Sequence, residues 1–213
     1  MDKLNYLDIK DIFAKIKDIM AENKNLLFKL DSAMGDGDLG LTMNNGFNRI
    51  YEAISTLNEE KIGKIIIQAG MILEDSVPST IGTLVATGFI RAGKIVKDKT
   101  EIDLSDLVMM MSFFVEGIRR RGKAELGDKT IIDSLYPAYL ALKLASEDKK
   151  NLKEAFKNAY QSAKQGVEDA KKMVSKHGRA AWYKEKSRGK EDPGAVAGML
   201  MVKAFYEYLK EKY

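Results

Sequence analysis

The chain has 213 residues, of which 45% are hydrophobic, and its 35 basic and 31 acidic residues leave a net charge of +4. This length can bury one compact core, and the mixture of both charges along the chain argues against a nucleic-acid-binding surface. The absence of cysteine excludes disulfides, thiolate metal sites and cysteine nucleophiles. The longest apolar run, residues 107–115, is well short of a membrane span of roughly 20 residues. Residues 1–10 carry no export signal, so we expect a cytoplasmic protein.

Apolar residues recur at helical spacing along most of the chain. The first two amphipathic helices are predicted over residues 9–20 and 41–57. The further helices are predicted over residues 60–76, 82–97, 104–120, 131–146, 151–174 and 194–211. The stretch "KIIIQAGMIL" (64–73) has the composition of a buried strand, but its flanking residues extend the helical period and favour a helix. About eight helices with short connections predict an all-α fold of antiparallel neighbours in one domain, residues 1–213.

Four breaks marked by glycine or proline interrupt these helices. They lie at residues 31–40, 76–82, 122–130 and 186–194. In a bundle of alternating up and down helices, every second connection lies at the same end. Several of these breaks are therefore expected to form one rim, which is where we look for a functional site.

The first break contains an unusually dense group of carboxylates. Asp31, Asp36 and Asp38 lie within eight residues, in the stretch "DSAMGDGDLGLTMNNGF". Two like charges at about 4 Å repel by roughly 4 kcal/mol near a protein surface, so a bound cation is expected to compensate them. Magnesium fits, because it takes a few carboxylates together with water or phosphate oxygens. A calcium EF-hand does not fit, because its twelfth position would be Thr42 or Phe47 instead of glutamate.

The residues around these aspartates also suit an anion. Gly35, Gly37 and Gly40 let the backbone approach a ligand closely, and a helix is predicted to begin just after them. The unpaired N–H groups and the positive dipole end of a helix N-terminus bind phosphate. The pattern therefore indicates a phosphorylated ligand held through a metal ion. An ordinary helix-capping turn is the alternative, and it explains one aspartate well but three poorly.

The break "GKAELGDKT" (122–130) resembles a phosphate-binding P-loop without matching it. Asp128 stands between Gly127 and Lys129, and no strand precedes the segment, so a Walker A loop is rejected. Lys123, Lys129 and Thr130 could still face a phosphate ahead of the next helix. A plain connection between two helices is an equally good interpretation.

Two other breaks carry helix caps, and a notable arginine precedes the second of them. Pro193 suits the first position of a helix, and His177 is expected to be an ordinary surface residue. Arg179 is able to donate two hydrogen bonds to phosphate oxygens. The candidate N-cap residues are Ser79, Thr80 and Asp192.

Four motifs, in this order and at these separations, resemble the L subunit of bacterial dihydroxyacetone kinase, a DAK2-like domain. They are "GDGDLGLTMNNGF", "RGKAELGDKTIIDSL", "HGRAAWY" and "EDPGA", and the similarity extends over nearly the whole chain. The resemblance implies a closed barrel of eight antiparallel helices that binds ADP or ATP at one rim through two Mg²⁺ ions. It also implies phosphoryl transfer to a short ketose without a protein nucleophile.

By the same resemblance, Asp31, Asp36 and Asp38 ligate the magnesium ions, and Arg179 is the catalytic residue that orients the transferred phosphoryl group. The residues implied for nucleotide binding are Leu39, Gly40, Leu41, Thr42, Thr80, Ile81, Gly122, Ile131, Arg179, Asp192, Pro193 and Gly194. The implied partners are a separate K-type subunit, which holds the ketone on a histidine, and a phosphotransferase-system M subunit. A homodimer or hetero-oligomer is expected, with no nucleic acid and no membrane.

Two departures from the family pattern leave alternatives open. Leu39 stands where the family has histidine, and Ile81 lies in a stretch that is usually rich in glycine and serine. The phosphoryl donor, ATP or a phosphotransferase-system phosphoprotein, therefore stays open, and so does a ketose such as erythrulose. A non-catalytic module that binds nucleotide or an apolar ligand and acts with a regulator is the competing function. Met109–Met111 could line an apolar site, although core packing explains them equally well.

Overall fold

Helices account for most of the residues that the computed structural model describes, which are 2–77 and 79–213. Residue 78, inside the predicted break at 76–82, lies outside the described residues. The α-helices are α1 (Tyr6–Glu22), α2 (Lys24–Ser32), α3 (Leu39–Ser55), α4 (Ile62–Ser76), α5 (Thr80–Ile95), α6 (Leu104–Gly122), α7 (Ile132–Glu147), α8 (Leu152–Lys171) and α9 (Pro193–Lys212). A 3₁₀ helix spans Arg179–Ser187, and the two-residue strands β1 (Leu4–Asn5) and β2 (Glu101–Ile102) pair antiparallel. The all-α prediction is confirmed.

Eight of the helices form a closed ring. Each helix from α3 to α9 packs against the next one in the chain, α1 packs against α3, and α9 returns to pack against α1. The short α2 lies outside this ring and packs mainly on α3. Connections such as 148–151, between α7 and α8, are too short to run the length of a helix, so these neighbours are antiparallel. The ring therefore places every second connection at one end.

The structure differs from the sequence prediction in two segments. Helix α2 was not predicted, because Leu27 is its one buried apolar residue and leaves little periodicity to detect. The 3₁₀ helix was not predicted either, because its residues are mostly exposed and Lys184 breaks its helical dihedral angles. The segment 64–73, for which composition alone allowed a strand, lies within α4, as predicted.

The interior of the ring is apolar. Phe89 lies 5.1 Å from Phe114 and 5.4 Å from Phe13, measured between ring centroids. A cavity of about 80 Å³ lies among these aromatic rings and aliphatic side chains, and Met110 and Met111 contribute to its wall. Met109 is instead 47% exposed, so the three consecutive methionines do not form one surface. In the described part of the chain, no helix has the length and hydropathy needed to cross a membrane.

Close helix contacts depend on particular glycines, and the contact between α7 and α8 is the clearest case. A Cβ atom at Gly166, on α8, would overlap the carbonyl oxygen of Asp133, on α7. A backbone oxygen cannot move aside as a flexible side chain can, so the two helices would have to separate. Asp133 also organises the turn that precedes α7, which links this contact to the rim.

We expect Gly166→Ala to lower the free energy of unfolding by about 1–3 kcal/mol, the usual cost of overpacking. This loss should appear even though alanine has the higher helix propensity, by about 1 kcal/mol. Urea denaturation followed by circular dichroism measures it. Gln161→Ala, at an exposed position of the same helix, is the control and should leave stability nearly unchanged. A G166A protein as stable as the wild type would contradict the close contact.

Candidate functional site

A cleft opens at the end of the ring where three of the predicted breaks meet. Its volume is about 370 Å³, and its walls come from the α2–α3, α4–α5 and α8–α9 connections. The fourth break reaches an adjoining pocket, where Gly122 lies with Ser79 and Thr80. The breaks that the sequence placed at one rim therefore do lie together. A cleft of this size is within the range of small-molecule sites.

Three carboxylates converge on one wall of this cleft. Asp31, Asp36 and Asp38 each offer an oxygen atom within 4.8 Å of the others. Asp31 is partly buried, whereas Asp36 and Asp38 are exposed to the cleft. Such a set can share one centre, and its open side leaves room for water or phosphate oxygens, as magnesium requires. The donor chemistry therefore fits a hard divalent cation.

Hydrogen bonding at the start of α3 separates this arrangement from a simple capping turn. The Oδ2 atom of Asp31 accepts a hydrogen bond from the N–H of Leu39 at 3.2 Å. Asp38 occupies the N-cap position, yet its side chain makes no capping hydrogen bond within the described residues. Asp31, which lies on α2, thus accepts a hydrogen bond from the N-terminus of α3. The carboxylate of Asp38 is left free to point to the other two aspartates. Capping alone does not explain these aspartates.

Two glycines allow this loop to fold so tightly. Gly37 has a φ of 76°, a left-handed conformation that L-residues adopt at a cost, and a Cβ atom there would overlap the side chain of Ser32. A Cβ atom at Gly40 would overlap the carbonyl oxygen of Lys24, so Gly40 lets α3 approach α2. The local backbone therefore explains both glycines before any ligand is considered.

The electrostatics of the cluster favour a cation. Burial raises the pKa of Asp38, and the charges of Asp36 and Asp31 raise it further, whereas Arg179 opposes this shift. Arg179 pairs with Asp36, with Nη2 and Oδ2 2.8 Å apart. One guanidinium cannot neutralise three carboxylates, so negative charge remains at the cluster. A divalent ion would relieve the repulsion that raises the pKa of Asp38.

Three helices begin at the cleft. Leu39, Thr80 and Pro193 are the first residues of α3, α5 and α9, and all three line the cleft. The N-terminus of each helix carries unpaired N–H groups and partial positive charge. Three such ends around one cleft, beside a cation site, form a strong binding environment for a polyphosphate.

The structure places the predicted nucleotide-binding residues in three groups. Those that line the cleft are Leu39, Thr80, Ile81, Arg179, Asp192, Pro193 and Gly194. Gly122 lines the adjoining pocket. The third group lines neither the cleft nor the adjoining pocket and consists of Gly40, Leu41, Thr42 and Ile131. Leu41 is 49% exposed on α3, whereas Ile131 is buried behind Gly194. For every one of these residues, binding of nucleotide stays a prediction.

The predicted caps are confirmed at two helices. Ser79 caps α5 by accepting a hydrogen bond from the N–H of Gly82 at 3.0 Å, which resolves the choice between Ser79 and Thr80. Asp192 caps α9 through the N–H of Ala195 at 2.7 Å, with Pro193 at the first turn. Burial raises the pKa of Asp192 to about 7, against the opposing effect of the capping hydrogen bond.

Lys129 does not face the cleft, so for this residue the phosphate-facing interpretation, one of the two left open by the sequence, is wrong. Its side chain is buried, and its Nζ atom donates hydrogen bonds to three carbonyl oxygens. The acceptors are those of Ser187 at 2.6 Å, Lys190 at 2.7 Å and Met173 at 3.3 Å. Burial lowers the pKa of Lys129. The backbone of Lys129 is left-handed, with a φ of 62°, where its side chain turns into the interior. The spacing of residues in the sequence does not indicate this conformation.

Asp128 makes a second set of contacts to the same region. Its carboxylate pairs with Lys176 Nζ at 2.7 Å and lies 3.1 Å from His177 Nε2. Burial alone would raise the pKa of Asp128, but hydrogen bonds from Lys176, the Glu125 N–H and His177 lower it to about 2. His177 is partly exposed, as expected of a surface histidine, but it also lines the cleft and contacts Asp128, which the sequence did not indicate. The sequence signal for a position at the cleft was that His177 lies two residues before Arg179.

The chain is similar to known proteins over most of its length. The model of the DAK2 domain matches residues 33–207. A relative named PEP-dependent dihydroxyacetone kinase, ADP-binding subunit DhaL, from Escherichia coli (strain K12), is 33% identical over 208 residues, which cover 98% of this chain and 99% of that one. A protein named L-erythrulose kinase, from Pectobacterium atrosepticum, is 30% identical over 190 residues, 88% of this chain but 32% of its own length.

Solved structures show the same fold. The native dihydroxyacetone kinase of C. freundii superposes with a TM-score of 0.75 at 23% identity, covering 96% of this chain and 34% of that one. The form of that enzyme in complex with AMP-PNP and Mg²⁺ gives a TM-score of 0.71 at 22% identity over 97% of this chain and 35% of that one. The chain thus spans about a third of the length of these solved chains.

The match to residues 33–207 and the alignment with the Escherichia coli subunit over nearly the whole of both chains lead to one conclusion. This protein belongs to the DAK2 domain family.

Proposed function

We propose that this chain, as a single domain, is the nucleotide-binding and phosphoryl-transferring subunit of a kinase for dihydroxyacetone or a related short ketose. The observation that carries the proposal is the convergence of Asp31, Asp36 and Asp38 beside three helix N-termini in one cleft. A carboxylate cluster alone would bind a cation, and helix N-termini alone would bind an anion. Their combination suits a magnesium–nucleotide complex, ADP or ATP.

The residues at the cleft have distinct roles in this proposal. Asp31, Asp36 and Asp38 would hold two Mg²⁺ ions, which supply the neutralisation of charge on the nucleotide phosphates when bound. The N–H groups at the start of α3 and α5 bind phosphate oxygens. Arg179, 68% exposed on one side of the cleft, would exchange its ion pair with Asp36 for hydrogen bonds to the transferred phosphoryl group.

The acceptor comes from a second protein in this proposal. The relative from Escherichia coli is named as a subunit, and the larger relatives extend well beyond the region that this chain matches. We therefore propose a separate K-type subunit that presents the ketose, with a phosphotransferase-system M subunit as donor partner in the cytoplasm. The relatives named for erythrulose make that ketose the second candidate acceptor. Turnover of both ketoses with the same K-type subunit distinguishes them.

Asp38→Asn should weaken binding of Mg-ADP strongly, because it removes a charged oxygen ligand without changing the shape of the side chain. We expect a loss of at least about 10- to 100-fold, the range found when even an outer-shell partner of a metal is removed. Isothermal titration with and without Mg²⁺ measures this loss. Asp98→Asn, at an exposed position outside the cleft, is the matched control. Unchanged Mg-ADP affinity in D38N would refute the proposed site.

The same substitution should stabilise the protein when metal is absent. The folded state raises the pKa of Asp38 above its ordinary 3.8, so the folded protein holds that proton more tightly than the unfolded chain. Stability therefore falls as pH rises from the unfolded pKa through the folded one, and D38N removes this loss.

Thermal denaturation at pH 7 tests this reversal. D38N should melt above the wild type in EDTA and below it in excess Mg-ADP, because only the wild type gains full binding energy. D98N should follow the wild type in both conditions. A lower melting temperature for D38N in EDTA would show that the cluster is not under electrostatic repulsion.

Arg179→Ala should slow phosphoryl transfer more than it weakens nucleotide binding. Removal of one donor aimed at developing charge typically costs about 10²- to 10³-fold in rate. The measurement is kcat with a K-type subunit and dihydroxyacetone, alongside the affinity for Mg-ADP. Arg120→Ala removes an exposed arginine that pairs with Glu116 and serves as the control. A loss of Mg-ADP affinity with kcat unchanged would assign Arg179 to binding alone.

A further inference from the structure

The segment that carries Arg179 is long and contains a 3₁₀ helix but no α-helix among the described residues. Residues 172–192 connect α8 to α9, and the 3₁₀ helix within them is mostly exposed. Trp182, the one tryptophan of the sequence, is 86% exposed on this segment. A connection of this length needs contacts from elsewhere to keep one conformation. Arg179 can serve the cleft only if such contacts exist.

Lys129 supplies these contacts from the α6–α7 connection. Its Nζ atom binds the carbonyl oxygen of Met173 near the start of the segment, and those of Ser187 and Lys190 near its end. A single buried ammonium group thus ties together both ends of the segment. These are charge-assisted hydrogen bonds in a site shielded from water, where they are stronger than exposed ones.

Asp128 fixes the residues directly before Arg179. Its carbonyl oxygen accepts a hydrogen bond from the N–H of Lys176 at 3.1 Å, in addition to the side-chain contacts with Lys176 and His177. The neighbouring Gly178 then turns the chain, with a φ of 62°, and Arg179 follows. The fixed part of the segment therefore ends two residues before the guanidinium that pairs with Asp36.

The backbone of Lys129 supports the same interpretation. Its φ of 62° is in the left-handed region, which a residue with a long side chain rarely adopts. Such a conformation persists only where the surroundings fix it. Asp133 fixes this turn, since its carboxylate accepts hydrogen bonds from the N–H groups of Gly127 and Thr130, both at 2.7 Å. The strained turn directs the ammonium group inward to the carbonyl oxygens.

We propose that Lys129 is a positioning residue, whose buried ammonium group holds the 172–192 segment so that Arg179 faces the carboxylate cluster. Lys129 touches neither the cleft nor a ligand and acts through Arg179. This inference rests on the proposed function, because that function gives Arg179 a phosphoryl group to orient. The contacts of Lys129 with the segment can nevertheless be tested without any activity.

The first experiment measures opening of the segment. Lys129→Met removes the cation and its donors but keeps a chain of similar length, and trypsin can cut after Lys184, Lys186 or Arg188. We expect these cuts to be about 10- to 100-fold faster in K129M, as loss of hydrogen bonds to a charged group implies. Fluorescence anisotropy of Trp182 should fall in parallel.

The chain offers a matched control for this substitution. Lys149 has the same left-handed backbone, with φ of 56°, but its side chain is exposed, and Lys149→Met should leave cleavage unchanged. Lys129→Gln, which keeps two N–H donors, gives the same comparison in a milder form if K129M does not fold. Wild-type cleavage in both K129M and K129Q would overturn the proposal.

The second experiment asks whether Lys129 acts through Arg179. Phosphoryl transfer is compared in K129M, R179A and the double variant. We expect K129M to lose kcat with little change in Mg-ADP affinity, and the double variant to be no slower than R179A. If the loss of kcat in the double variant equals the product of the two single losses, Lys129 acts independently of Arg179, and the proposal is overturned. Wild-type activity in R179A would remove the role proposed for Arg179, and unchanged Mg-ADP affinity in D38N would refute the proposed function. In either case the cleavage experiment still decides whether Lys129 holds the segment.

Discussion

Repulsion among three carboxylates is the constraint on which the rim of this protein depends. Asp31, Asp36 and Asp38 bring their oxygen atoms within 4.8 Å of one another, and one guanidinium offsets only part of their charge. Such an arrangement opposes stability unless a cation joins it. The charges of this site repel one another when it is empty and would be neutralised when a cation is bound. Residues with this property are typically retained for binding at some cost in stability.

The barrel determines what surrounds this cluster. Because eight helices alternate in direction around a closed ring, the beginnings of α3, α5 and α9 meet at the same end. Their positive ends face the carboxylates across one cleft. A carboxylate cluster and helix N-termini therefore lie side by side, and no lysine is among the described residues that line the cleft. The apolar interior serves chiefly to keep the helices, and so their N-termini, in place.

Lys129 shows how a residue type can mislead when its direction is unknown. A lysine close after a glycine and ahead of a helix is typical of phosphate binding, yet the ammonium group of Lys129 binds three carbonyl oxygens in the interior. Its contacts join residues 44 to 61 positions apart in the chain. The α6–α7 connection thereby contributes to the site indirectly, since it supports the segment that carries Arg179.

The sequence by itself determined the features that depend on nearby residues. Helical periodicity gave the all-α class, the spacing of Asp31, Asp36 and Asp38 gave the cluster, and the Asp192–Pro193 pair gave a helix start, because each is a local pattern. Only the tertiary structure decided which long-range contacts form. It turned Lys129 inward, placed His177 at the cleft and left Leu41 on the surface, because the direction of a side chain depends on elements that are distant in the sequence.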